Sequence, residues 1–254
     1  MKDKKEAIGL YQQYISLEPH DPRAYASLAG AYEGVNDAVK AEDAYRKAIE
    51  HDPDNTDRYL DLILFLIVND RIDGARAVLL EAEKHNESDQ DLFGMAFEDL
   101  QVMEVTENAG KFAASEPARM KTSYLANLTL GQIYSVDGRN ADALRLLQTA
   151  AQLDKEAIDP HISMAVLYRK QSRWAAALKA AQKVIELDEE DSEGYYQLAC
   201  ALTRLGRTKE ALAAITKSVE LDSNQVEFMV EEADLKALSS LRAFKKLIPP
   251  KSKQ

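Results

Sequence analysis

The sequence predicts an all-α fold, an α-solenoid of helix-turn-helix repeats with about 14 helices. Three observations predict it. First, alanine recurs every 34 residues without insertion, at Ala7, Ala41, Ala75, Ala109, Ala143, Ala177 and Ala211. Second, each period carries two amphipathic stretches. In the most regular copy Tyr25, Leu28, Ala29 and Tyr32 lie at i, i+3, i+4 and i+7, and Ala41, Tyr45 and Ala48 lie on one face of a second helix. Third, breakers are sparse, with 10 Gly and 7 Pro in 254 residues.

With Pro22 as position 1 of a repeat, six full repeats cover 22–225, and 2–21 form a half repeat that has only its second helix. Residues 226–248 read as one C-terminal capping helix, 1–248 as a single solenoid and 249–254 as a flexible tail. Position 20 is the alanine, where a small side chain lets the second helix lie close on the first. Position 15 ends the first helix and reads Asn36, Asp70, Glu104, Gly138, Ser172 and Gly206. Gly and Asn suit the left-handed backbone of a helix C-terminus. Second helices end near Asp52, Asp154, Asp188 and Asp222, and the pairs Asp21–Pro22 and Asp159–Pro160 read as N-cap followed by N1 proline.

The large residue, L-G/A, Y, A, aromatic, A and P at fixed offsets resemble the tetratricopeptide repeat, carried by Tyr25, Leu28, Ala29, Tyr32, Ala41, Tyr45, Ala48 and Pro53. The resemblance spans residues 2 to 225. It implies a right-handed superhelix whose concave side is lined by first helices, and a role in binding proteins or peptides. Chaperone-binding members grip a terminal carboxylate with groove-facing Lys, Asn and Arg; the Asn members are absent at the corresponding offsets here.

In chain order, the half repeat leaves Leu10, Tyr11, Tyr14 and Ile15 without a preceding first helix. It reads as a truncated start, or as a face through which residues 2–19 self-associate. The first helix of repeat 2, YLDLILFLIV, is apolar almost all round, so Leu60, Leu64, Ile67 and Val68 serve either as packing or as a hydrophobic groove floor. Repeat 3 (90–123) is degenerate. Phe97 fills a small position and should push the helices apart, Glu116 takes an apolar one, and Pro117 should stop the second helix early, leaving 115–121 as a loop or an early start of the next helix. Repeats 4 to 6 are regular, with Asn127 and His161 at a position where the family prefers Trp, and with Trp174 near a hairpin turn as packing. In 226–248, Glu232 and Lys236 replace apolar residues and read as the solubilising face of a cap, while Leu235, Leu238, Leu241 and Phe244 cover repeat 6.

Net charge is −11, which repels nucleic acid and anionic membranes. The longest apolar run, Leu62–Val68, is far short of a membrane span. The start MKDKKEAIGL lacks the apolar core of a signal peptide. A single cysteine, Cys200, forms no internal disulfide and fits a reducing, cytoplasmic setting. It should line the groove unreactively. His51 and His85 are one period apart, a spacing that the repeat explains without a metal. No phosphate loop, dinucleotide motif or zinc-ligand spacing is present. The expectation is therefore a non-enzymatic protein without metal or cofactor. Asn86-Glu-Ser and Asn127-Leu-Thr match a glycosylation pattern by chance.

Groove offsets carry the remaining information. They read as apolar in repeats 2 to 4, with Leu60, Leu64 and Ile67, the acids Asp57, Asp61 and Glu98, and Gln132. They turn basic in repeats 5 and 6, through Arg169, Lys170 and Arg204, beside Tyr196. A ligand with an apolar middle and an acidic end is complementary. Three functions follow: an interaction scaffold that binds an extended peptide or partner helix in the concave groove, an assembly module that self-associates, or the regulatory arm of a larger enzyme.

Overall fold

A computed structural model describes residues 2–85, 91–229 and 232–247. Among them are fifteen α-helices, three short 3-10 helices and no strand. Helix α1 (Lys2–Leu17) is followed by six antiparallel pairs: α2 (Pro22–Glu33) with α3 (Ala38–His51), α4 (Thr56–Val68) with α5 (Ile72–His85), α6 (Leu92–Val102) with α7 (Thr106–Ser115), α8 (Tyr124–Val136) with α9 (Asn140–Leu153), α10 (Asp159–Lys170) with α11 (Trp174–Leu187), and α12 (Ser192–Arg204) with α13 (Thr208–Leu221). The chain packs as two compact units, residues 1–133 and 134–254, each a stretch of helix-turn-helix solenoid.

The repeat register governs both units. The alanines at position 20 of all six full repeats, Ala41 through Ala211, are 0% exposed. Position 15 is left-handed in every repeat: φ is 56–59° at Asn36, Asp70, Glu104 and Ser172, 81° at Gly138 and 74° at Gly206. The next amide always returns to the carbonyl of position 11, as in Arg71 to Leu66 at 2.8 Å, Arg139 to Tyr134 at 2.8 Å and Arg207 to Leu202 at 2.9 Å. This closing bond satisfies a carbonyl that the end of the helix would otherwise leave unpaired. Side chains of Asp21, Asn55, Asp91 and Asp191 accept from first-turn amides of α2, α4, α6 and α12. Asp159 departs from its expected role. Helix α10 begins one residue earlier than the proline suggests, with Ile158 as its cap, so Asp159 sits in the first turn, where its charge still complements the helix dipole.

Repeat 3 is irregular for reasons that the side chains explain. Phe97 is buried in an aromatic trio with Phe93 and Phe112, ring centres 5.2–5.9 Å apart. The backbones of α6 and α7 accordingly approach at fewer points than those of α2 and α3. Helix α7 ends at Ser115, before Pro117, and a 3-10 turn at Arg119–Lys121 leads to α8. Glu116 is no misfit: Arg76 Nε lies 2.7 Å and Arg119 Nε 3.0 Å from its carboxylate, and Arg119 also pairs with Glu83. Four long side chains thus bind the end of the shortened α7 to α5.

The expected single helix over 226–248 is absent. Instead α14 (Val226–Met229), a 3-10 helix at Ala233–Leu238 and α15 (Arg242–Leu247) follow one another. Met229, Leu235, Leu238 and Phe244 are buried against Ala199, Cys200, Leu202, Ala211 and Ile215 of α12 and α13. The segment bends because Glu232 and Asp234 turn inward to a cation, described below, which a straight helix would not bring to them. The expected tail at 249–254 lies outside the described residues.

At position 15 a non-glycine residue in the left-handed region costs about 1–2 kcal/mol, while glycine carries an entropic cost of about 0.5–1 kcal/mol. Glu104 is exposed and has a φ of 56°. Glu104→Gly is therefore expected to stabilise the protein by roughly 0.5 kcal/mol, read as a raised urea midpoint at unchanged slope.

Candidate functional site

The first helices place the expected residues in two separate settings. In the first unit, Ile67 is 0% exposed and Leu60 is buried; Leu64 is half-buried. Leu60 and Ile67 are thus core and not an open floor. The physical reason is that α4 is enclosed by α3, α5, α6 and α7. Asn108 of α7 also donates to the Ile67 and Val68 carbonyls at 2.9 and 3.3 Å, which holds α7 against the end of α4. The open part of this face is mixed, with Val68 37% and Val102 84% exposed beside polar residues. Glu98 is exposed, and Gln132 accepts from Gln101 at 3.3 Å.

Asp61 lies among Arg58, Asp57 and Asp99. Burial pushes its carboxyl above the ordinary carboxylate value; Arg58, 3.4 Å away, opposes this, and Asp57 and Asp99 reinforce it. Neighbouring Glu33 accepts from the Tyr45 hydroxyl, whose ionisation burial and that carboxylate suppress.

In the second unit the expected basic residues are not free. The Arg169 side chain is only 11% exposed. Its Nη2 is 3.0 Å from Glu232 Oε2, its Nε is 2.9 Å from Asp234 Oδ2, and its Nη1 donates to Gln197 Oε1 at 2.8 Å. The guanidinium also sits 5.4 Å from the centre of the Tyr196 ring, and the Tyr196 hydroxyl donates to Glu232 at 2.5 Å. Arg204 Nε lies 3.7 Å from Asp234, and its guanidinium covers the Trp174 ring at 4.7 Å. Glu232 also accepts from the Asp234 amide at 3.0 Å, which caps the 3-10 turn. A planar fork with five donors can serve two carboxylates, an amide oxygen and a ring face together; a lysine could not.

Lys170 stays exposed, apart from this network. Cys200 is 0% exposed beneath the 3-10 segment and does not line an open groove; burial raises its thiol pKa, which keeps it protonated. An open cavity of about 340 Å³ remains beside the network, lined by Thr203, Arg204, Ala233, Asp234, Lys236 and Ala237.

Glu232, Asp234, Gln197 and Trp174 were not among the expected site residues. Glu232 read as a solvated face because period alone does not show that the chain turns at 232. Trp174 read as packing; it is the platform for Arg204. Among the described residues no group of three or more His, Cys, Asp or Glu could hold a metal ion, and no helix is long and apolar enough to cross a membrane. His51 stacks on Tyr25 at 5.0 Å and His85 on Tyr59 at 6.4 Å, equivalent contacts one repeat apart. Asn127 is buried and donates to the Met120 and Ser123 carbonyls at 2.6 and 2.7 Å, which removes it as a glycosylation site; Asn86 lies outside the described residues.

Comparison with known proteins gives one family. Models described as tetratricopeptide repeat match residues 34–95 and, separately, residues 2–56 and 162–226. Among solved structures the chain is similar to MamA, at 18% identity and a TM-score of 0.46 over 79% of this chain and 97% of that one. It is similar to the Cut9-Hcn1 hetero-tetramer of APC/C, at 17% identity and a TM-score of 0.48 over 94% and 46%. It is also similar to YrrB, a TPR protein with an unusual peptide-binding site, at 16% identity and a TM-score of 0.39 over 84% and 93%. No curated protein matches the chain.

Two titrations follow from this geometry. Asp61 has a raised folded pKa, so its contribution to stability is present at low pH and lost as pH rises through that value. Asp61→Asn removes this loss and is expected to raise the melting temperature at pH 7, with little effect at pH 3. Glu232 behaves oppositely. Burial pushes its carboxyl up, but the Tyr196 hydroxyl, the Asp234 amide and Arg169 together outweigh it and hold the pKa below its ordinary 4.5. Its stabilisation is present above pH 4.5 and lost as pH falls through the depressed value. Emission from Trp174, the single tryptophan, is therefore expected to shift below pH 4.5 before helicity is lost, and Glu232→Gln should diminish that shift.

Proposed function

The chain belongs to the tetratricopeptide-repeat family, and on that premise we propose that it is a protein-interaction scaffold that takes an extended peptide or a partner helix on the first-helix face of its repeats. One observation carries the reading. In the second unit this face, through Arg169, Tyr196 and Arg204, already receives a short stretch of the chain itself, and binds it by side-chain hydrogen bonds and ion pairs. A surface that holds one peptide segment by its side chains has the chemistry to hold another. Each unit also leaves a polar first-helix position exposed to a partner, Glu98 in the first and Lys170 in the second. Net charge of −11 disfavours nucleic acid as that partner.

A second reading rests on α1. Leu10, Tyr14 and Leu17 are exposed along it at 60%, 45% and 78%. Self-association through residues 2–19 would cover them. Light scattering over a hundredfold concentration range separates the readings, since a mass that stays monomeric throughout removes self-association.

Panning displayed dodecapeptides against the full chain tests the scaffold reading directly. Enriched peptides are expected to lose about tenfold or more in affinity on Glu98→Arg or Lys170→Glu, which reverse a rim charge. They should keep their affinity on Lys217→Glu, on the second helix α13. Peptides indifferent to all first-helix substitutions would place binding elsewhere.

A further inference from the structure

The segment Glu232–Leu238 differs from an ordinary cap in how it is held. A cap that only shields apolar surface needs leucines facing the last repeat and polar residues facing water. Leu235 and Leu238 do face the last repeat, 1% and 0% exposed among the side chains of α12 and α13. Glu232 and Asp234, however, do not face water. They cross to α10, one repeat earlier, and take up the nitrogens of Arg169, while Asp234 also reaches toward Arg204. Two carboxylates spaced i, i+2 on one guanidinium, followed by leucines that seat in the next repeat, form a recognition pattern and not merely a cover.

We propose that Glu232–Leu238 is an intramolecular ligand: it occupies a binding site for acidic segments formed by Arg169, Gln197, Tyr196 and Arg204, and a partner carrying acid-x-acid-leucine-x-x-leucine binds there by displacing it. This rests on the reading that the first-helix face is the binding face.

The site is built before the ligand arrives. Trp174 positions the Arg204 guanidinium by its ring face, and Gln197 is itself held by Glu193 at 2.5 Å, so its oxygen points at Arg169. Both arginines therefore stay placed when Glu232 and Asp234 leave. The occupant is loosely built by comparison. It is a six-residue 3-10 helix flanked by non-helical residues, and its polar bonds to the first-helix face are made by the side chains of Glu232 and Asp234. Tethering gives it a high effective concentration, which lowers the apparent affinity of any competitor to its intrinsic value multiplied by the unoccupied fraction. Neutralising the segment's carboxylates lifts that competition without touching the site.

The probe is a fluorescent, end-capped peptide of residues 232–241, EADLKALSSL, with anisotropy as the readout on the full chain. The double variant Glu232→Gln, Asp234→Asn is expected to bind it about tenfold or more tightly than the unaltered chain, as relief of self-competition requires. Adding Arg169→Ala should abolish binding, and a peptide with its two acids amidated should fail to bind either protein. Equal affinity of variant and unaltered chain, or no binding by a variant whose helicity and melting are intact, overturns the proposal.

Should the double variant lose the fold of repeat 6, the unaltered chain is titrated with the unlabelled peptide and hydrogen exchange of amides 233–238 is followed. Faster exchange with peptide supports displacement; unchanged exchange at millimolar peptide overturns it. If the peptide fails while panned peptides still depend on Glu98 or Lys170, the scaffold reading stands and only the self-ligand falls. If both fail, the first-helix face is not the binding face.

Discussion

Close approach of paired helices at one small residue is the constraint on which the rest depends. A single helix pair has too little apolar surface to offset its conformational entropy, so each must pack on its neighbours. The alanines at position 20 permit this, and all six are sealed from solvent. Once the pair is close, the turn joining its helices must reverse the chain in few residues. The left-handed residue at position 15 and the returning bond to position 11 supply that reversal six times over, even where the residue is Glu104 or Ser172 and the conformation is unfavourable. Packing thus overrides local preference at a cost of about 1–2 kcal/mol at each turn that lacks glycine.

Where the template fails, long polar side chains take over the function of apolar contact. The aromatic trio of repeat 3 thickens the layer between α6 and α7, and Pro117 shortens α7. Glu116, Arg76, Arg119 and Glu83 then bind the loosened end to α5. After α13 ionic holding is added to apolar holding: Glu232 and Asp234 are fastened to Arg169 while Met229, Leu235, Leu238 and Phe244 are buried against the last repeat. In the first case the network repairs packing. In the second it places a peptide-like segment on the face that the scaffold reading assigns to partners, so that structure and occupancy of the site are one arrangement.

Periodicity made the repeats legible in detail. A residue that recurs at every 34th position answers to the same neighbours each time, so Ala41 and Gly206 could be placed by register alone. The early end of α7 was equally legible, since proline lacks the amide that the next turn needs. The candidate face was less so. Leu60 and Ile67 occupy groove offsets but are covered, because α3, α5, α6 and α7 all pack on α4, and an offset within one repeat does not show how closely the neighbouring repeats pack on it. Arg169 and Arg204 were found as cations, but their partners were not. Glu232 and Asp234 lie 63 and 65 residues from Arg169 in sequence, beyond the last full repeat, where no periodicity relates them.

The sequence by itself determined the helix pairs, their turns, the family and the sign of charge along the first-helix face, because each follows from spacing within a repeat. Tertiary structure alone decided which of those charges remain open to a partner. That question turns on a chain that bends at Glu232 to meet a guanidinium one repeat away, and the geometry of such a bend is set by contacts between distant residues and not by any local preference of the residues that make it.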